Sequence, residues 1–148
     1  MPRLPTILIV DDDEGHTILI RQSFAEVGMP NPFVEFSDGQ AVLDFLSEAT
    51  RRVAGAPSSS PYLLLLDIRM PKVDGVEVLR RIKADPALRM LPVIMLSTTD
   101  DPGEIERCHQ FGCSAYVRKP VDYDSFANVV RRLGDFMKIV TVPQLAAC

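Results

Sequence analysis

The chain has 148 residues, of which 47% are hydrophobic, so it holds one domain with a real core and is neither disordered nor a string of modules. Its formal charge of −4 comes from basic and acidic residues interspersed without a basic stripe, which argues against nucleic acid as a partner. No apolar run approaches the roughly 20 residues needed to span a bilayer, and Met1-Pro2-Arg3-Leu4-Pro5 carries no signal-peptide pattern, so a cytoplasmic protein with no membrane partner is expected.

Short apolar runs alternate with longer amphipathic stretches. The runs are Thr6–Val10, Pro32–Phe36, Tyr62–Leu66, Pro92–Leu96 and Ala115–Val117. Each is too short for a helix, and most are apolar at successive positions, as strands covered on both faces must be. A first helix follows Asp13, aligns Ile20, Phe24 and Val27, and ends at Gly28. A second aligns Val42, Phe45, Leu46 and Ala49. Ala54–Pro61, rich in Ser, Pro and Gly, is expected to be an exposed, flexible loop. A third helix starts at Gly75 and stops before Asp85-Pro86, because the residue before proline avoids helical angles. A fourth runs from Pro102 to Gly112. The fifth stripes Phe126, Val129, Val130, Leu133 and Met137. This alternation predicts an α/β fold: a flavodoxin-like (βα)5 unit whose five-stranded parallel sheet has order 2-1-3-4-5, with helices on both faces. Residues 1–138 form the expected domain and 139–148 a short apolar extension. The cysteines Cys108, Cys113 and Cys148 fit no metal-ligand spacing and read as free thiols.

In open parallel sheets, chemistry gathers at the carboxyl ends of the strands. There strand 1 runs into Asp11-Asp12-Asp13, strand 3 into Asp67, strand 4 into Ser97-Thr98-Thr99, and strand 5 into Lys119-Pro120. Taken singly, each Asp suits a helix cap, and Ser97 or Lys119 means little. An acidic pair, an Asp, a hydroxyl and a Lys at adjoining strand ends are different: they match phosphoryl transfer. Crowded carboxylates repel and call for a divalent cation, for which Mg²⁺ suits. Asp67 can act as nucleophile to form an acyl phosphate, with Lys119 and Ser97 stabilising phosphoryl oxygens.

With these residues in place, the sequence resembles the receiver domains of two-component response regulators over nearly its whole length. The resemblance rests on Ile7–Asp13, Leu65–Gly75, Pro92–Ser97 and Ala115–Pro120. It implies that Asp11, Asp12 and Asp67 hold Mg²⁺ with the backbone carbonyl of Arg69, that Asp67 is the phosphoacceptor, and that Asp13 is only a helix cap. It implies a switch pair, Ser97 and Tyr116, and positions Arg69 and Thr99 as tuners of phosphoryl lifetime. Serine for the commoner threonine at Ser97 departs from the pattern by one methyl. A narrower similarity, in Ala41–Leu46, Leu96–Thr99, Lys119–Phe126 and Asp135–Pro143, points to stand-alone regulators paired with phytochrome-type histidine kinases. A histidine kinase partner, a downstream protein or phosphotransfer partner and a phosphorelay role follow from it.

Two other classes share the elements. An aspartyl phosphatase needs a second Asp two residues after the nucleophile, where Arg69 stands. A flavin module wants a Ser/Thr/Gly-rich loop after strand 1, where Asp11–Glu14 stands. Chemistry beyond phosphorylation and dephosphorylation of Asp67 is therefore not expected. No DNA-binding domain is expected after the fifth helix. An apolar extension with no obvious cover suggests a homodimer through helix 5 and Ile139–Val142, or through the helix 4–strand 5 surface, the alternative being a tail folded back on its own domain.

Overall fold

The computed structural model describes residues 4–51 and 61–145. Strands β1 (Thr6–Val10), β2 (Phe33–Phe36), β3 (Tyr62–Leu66), β4 (Val93–Ser97) and β5 (Ala115–Arg118) alternate with helices α1 (Glu14–Glu26), α2 (Gly39–Thr50), α3 (Gly75–Ala84), α4 (Pro102–Phe111) and α5 (Tyr123–Met137). All strand pairs are parallel and the order is β2-β1-β3-β4-β5, the flavodoxin-like arrangement.

Side chains on successive strand positions point to opposite faces, which divides the core in two. Leu8, Val10, Leu64, Leu66, Val93 and Met95 pack with Val42, Leu46, Val78, Leu79 and Ile82 of α2 and α3. Ile7, Ile9, Leu63, Leu65, Ile94 and Leu96 pack with Leu19, Ile20, Phe24, Phe126 and Val130 of α1 and α5. The edge strands β2 and β5 keep partial exposure, as their patterns suggest.

The boundaries follow backbone chemistry. β2 and β4 each begin one residue later than the apolar runs suggest, because Pro32 and Pro92 have no N–H to give a ladder. Both still act as acceptors: the Pro32 carbonyl takes the Ile7 N–H (2.9 Å) and the Pro92 carbonyl the Leu64 N–H (3.0 Å). β4 and β5 each run one residue further, since Ser97 pairs with Arg118. Helix α1 stops at Glu26, and Gly28 turns the chain away at φ 65°; α4 ends on Gly112 in the left-handed region at φ 102°. Each helix is N-capped by an aspartate: Asp13, Asp38, Asp74, Asp101 and Asp122.

Ala54–Ser60 of the expected flexible loop lie outside the described residues. Pro61, at its end, is buried rather than exposed, and its carbonyl accepts the Thr6 N–H at 2.9 Å. The segment after α5 does find cover. Val140 and Val142 pack against the α1/α5 core, and Leu145 is buried in the core on the opposite face, so the segment crosses the amino edge of the sheet. The domain itself thus covers part of this apolar stretch and leaves Ile139 80% exposed. Among the described residues no helix is long and apolar enough to cross a membrane.

Candidate active site

Ladder bonds continued one residue past the strands fix the site. The Asp67 N–H donates to the Val10 carbonyl (2.9 Å), the Asp11 N–H to Phe36 (3.1 Å), and the Lys119 N–H to Ser97 (2.7 Å). The carboxyl ends of β1, β3, β4 and β5 thus deliver Asp11, Asp67, Ser97 and Lys119 to one edge. Carboxylate oxygens of Asp11, Asp12 and Asp67 lie within 4.8 Å of one another. Asp11 and Asp67 are buried and Asp12 is exposed, so the group opens to solvent on one side. Beside it a cleft of about 410 Å³ is lined by Asp11, Asp12, Glu14, Arg21 and Glu35 among others.

Lys119 is 2% exposed, and a charge so buried persists only when paired. Its ammonium donates to Asp11 Oδ2 (2.5 Å) and lies 3.6 Å from Asp67 Oδ1. Burial pushes the Asp67 carboxyl up to about 6, with Asp11 and Asp12 adding to the rise and Lys119 and the Ile68 N–H opposing it. Such a carboxyl gains from a cation. A three-carboxylate donor set of hard oxygens, short of positive charge, fits Mg²⁺, which receiver domains bind at an acidic Asp cluster.

The third helix meets the site directly. A Cβ on Gly75 would sit 2.0 Å from the Asp67 carbonyl oxygen, and the Gly75 N–H donates to the Ile68 carbonyl at 2.8 Å. Glycine here is a requirement of close backbone approach.

Ser97 is fully buried, and its Oγ accepts the Thr99 N–H at 3.3 Å. The Tyr116 hydroxyl donates to the Thr99 carbonyl at 2.9 Å, so Tyr116, Thr99 and Ser97 form one linked set. Burial, chiefly, raises the Tyr116 phenol above its ordinary value. Asp13 stays outside the carboxylate group and caps α1, accepting the His16 N–H at 3.2 Å. Arg69 directs its guanidinium to Glu104 on α4 at 3.3 Å. No acid occupies the position two residues after Asp67 that a phosphatase would need. Cys108 and Cys113 are free buried thiols, and burial pushes Cys108 up to about 11.

Two site residues escape the sequence reading. His16 Nδ1 accepts from the Lys119 ammonium at 3.0 Å, lies 3.5 Å from Asp11 Oδ2, and its ring meets Phe126 edge-on at 5.3 Å. Its signal was faint: a ring in the first turn of a helix that starts at a strand's carboxyl end. Glu104, which pairs with Arg69 across 35 residues, left none.

These elements form an α/β fold with an acidic group at the carboxyl edge of its sheet, and comparison with known proteins narrows its class. The model of the response regulator receiver domain matches residues 7–131. The probable methanogenesis regulatory protein FilR2 of Methanothrix harundinacea is 34% identical over 130 residues, covering 88% of this chain and 81% of that protein. The crystal structure of a response regulator receiver domain from Rhodospirillum rubrum aligns with a TM-score of 0.86 and 38% identity, over 95% of this chain and 99% of the other. The phosphorylated cyanobacterial phytochrome response regulator RcpA aligns at 0.82 and 29% identity, over 96% and 100%. The chain belongs to the response regulator receiver domain family, a family of signalling proteins partnered by histidine kinases.

Proposed function

We propose that the protein is a stand-alone phosphorylation switch that accepts a phosphoryl group from a histidine kinase on Asp67. The observation that carries this is the Asp67 carboxyl itself, buried at the end of the central strand, 3.6 Å from the Lys119 ammonium and grouped with Asp11 and Asp12. A carboxylate oxygen of Asp67 attacks phosphorus, the donor's P–N bond breaks, and an acyl phosphate remains. Lys119 sits where it can meet the charge of the phosphoryl oxygens, and the Ser97 hydroxyl can donate to one of them. Asp11, Asp12, Asp67 and the Arg69 carbonyl would hold Mg²⁺, which neutralises charge on the phosphoryl oxygens when bound. Phosphorylation then draws Ser97 from its turn and releases Tyr116 from Thr99, repacking the α4–β5–α5 surface. Arg69, two residues after Asp67, and Thr99, two residues after Ser97, set how long the phosphoryl group lasts.

Intact mass after incubation with a small acyl-phosphate donor tests this. A Mg²⁺-dependent gain of one phosphoryl group in the wild type, absent in Asp67→Asn, supports it; no gain under any condition refutes it.

The input kinase we assign is of phytochrome type, supported by the similarity to RcpA. The signal passes on in the cytoplasm through a downstream protein or a phosphorelay partner. Residues 1–138 act as the receiver unit and 139–148 as its extension. A homodimer through α5 and its flank is supported by the exposed side chains of Tyr123, Phe136 and Ile139. Light scattering at tens of micromolar reads it: a dimer that Phe136→Glu with Ile139→Glu turns monomeric is the expected result, and a monomeric wild type, phosphorylated or not, removes it.

A further inference from the structure

Arg69, two residues after Asp67, pairs with Glu104 and so joins the β3–α3 loop to the first turn of α4 at 3.3 Å. The two partners are unequally free. The Arg69 side chain is 73% exposed, while that of Glu104 is 13% exposed. The second Glu104 oxygen, Oε1, is buried with no hydrogen-bond partner. The carboxylate is thus sunk into the protein, held by a guanidinium that can swing away.

Helix α4 is also the least anchored of the five. Cys108 is its one buried residue, whereas α5 buries five and α3 four. A change of charge at its first turn therefore meets little resistance from packing.

We propose that Glu104 is a positioning residue for Arg69, holding the guanidinium against α4 while Asp67 is bare and losing it to the phosphoryl group when Asp67 is modified. This rests on the reading of Asp67 as the phosphoacceptor. A phosphoryl group brings close to two negative charges and three strong acceptors two residues from Arg69, against one carboxylate on the other side. Once the guanidinium moves, a buried carboxylate is left without its counter-charge, and α4 relieves it by carrying its first turn outward. The coupling runs both ways: a partner that lifts α4 frees Arg69 for the phosphoryl group and so strengthens its hold on Asp67.

The test uses the full chain as wild type, Glu104→Gln, Arg69→Ala and the double variant. Amide exchange across α4 is read in the unphosphorylated proteins, and affinity for beryllium fluoride, a phosphoryl mimic, is read with Mg²⁺. Arg69→Ala, which strips the counter-charge from the Glu104 carboxylate, should speed exchange in the first turn of α4 by about twofold to fivefold, whereas Glu104→Gln, which removes that carboxylate's charge, should leave exchange near the wild-type rate and cancel the effect in the double variant. Glu104→Gln should tighten beryllium fluoride and Arg69→Ala weaken it, while Glu104→Gln has no effect when Arg69 is already Ala. Additive effects in the double variant, or α4 exchange alike in all four proteins, overturn the proposal. The mass experiment separates the two readings. A wild type that is phosphorylated but whose variants bind the mimic equally keeps its function and loses this device. A wild type that takes no phosphoryl group loses both the function and the handover.

Discussion

At Asp67 the environment and the chemistry pull in opposite directions. The folded, metal-free protein holds this carboxyl's proton more tightly than the unfolded chain does, near 6 against 3.8. Above that range its charge opposes folding, and the opposition fades as pH falls from about 6 towards 4. Asp67→Asn should therefore stabilise the metal-free protein by about 1–3 kcal/mol at pH 8 and by little near pH 4. Urea unfolding with a chelator at both pH values measures this; a variant weaker than wild type at pH 8 contradicts it. Lys119 has the opposite sign. Lys119→Ala leaves Asp11 and Asp67 buried without their cation and should cost about 3–5 kcal/mol, with added Mg²⁺ narrowing the deficit. Both residues could be found in the sequence because each follows directly on a strand, so the strand alone sets its place. His16 and Glu104 could not, because their roles depend on where a side chain points after the chain has closed on itself.

The elements were readable for a related reason. The helix starts carry aspartate caps and the ends carry Gly28, Pro86 and Gly112, so local chemistry marks them without tertiary context. Proline misplaced two strand starts by one residue, since a ring without an N–H still looks apolar in a count. The seat of α3 against β3 had no such mark. A glycine at the start of a helix is unremarkable until the Asp67 carbonyl is seen beneath it. Gly75→Ala should cost about 1–3 kcal/mol through forced backbone displacement. It should also reduce phosphoryl uptake, because the peptide it pushes is that of Asp67, the proposed acceptor. Thermal unfolding and the mass assay check the pair, and a variant with native melting temperature and full uptake would show that the loop yields freely.

On the scale of the whole molecule, the acidic group lies at the carboxyl edge of the sheet and the segment after α5 at the amino edge. That segment ties the two faces together, with Val142 on one core and Leu145 in the other. Leu145→Ala should cost about 2 kcal/mol or more, as a buried leucine does, although the residue lies beyond the last helix. Denaturant unfolding decides this, and an unchanged midpoint would mean the segment merely rests on the surface. Its apolar pattern was visible in the sequence, but not whether the protein's own core would take it. The Gly75 contact carries a different consequence, for heredity. Its clash would be with main-chain atoms, which every amino acid shares, so no substitution at a facing position can make room. In a selection for revertants of Gly75→Ala, recovered clones should regain glycine itself or alter the length of the neighbouring loop, and intragenic suppressors in the surrounding core should be absent.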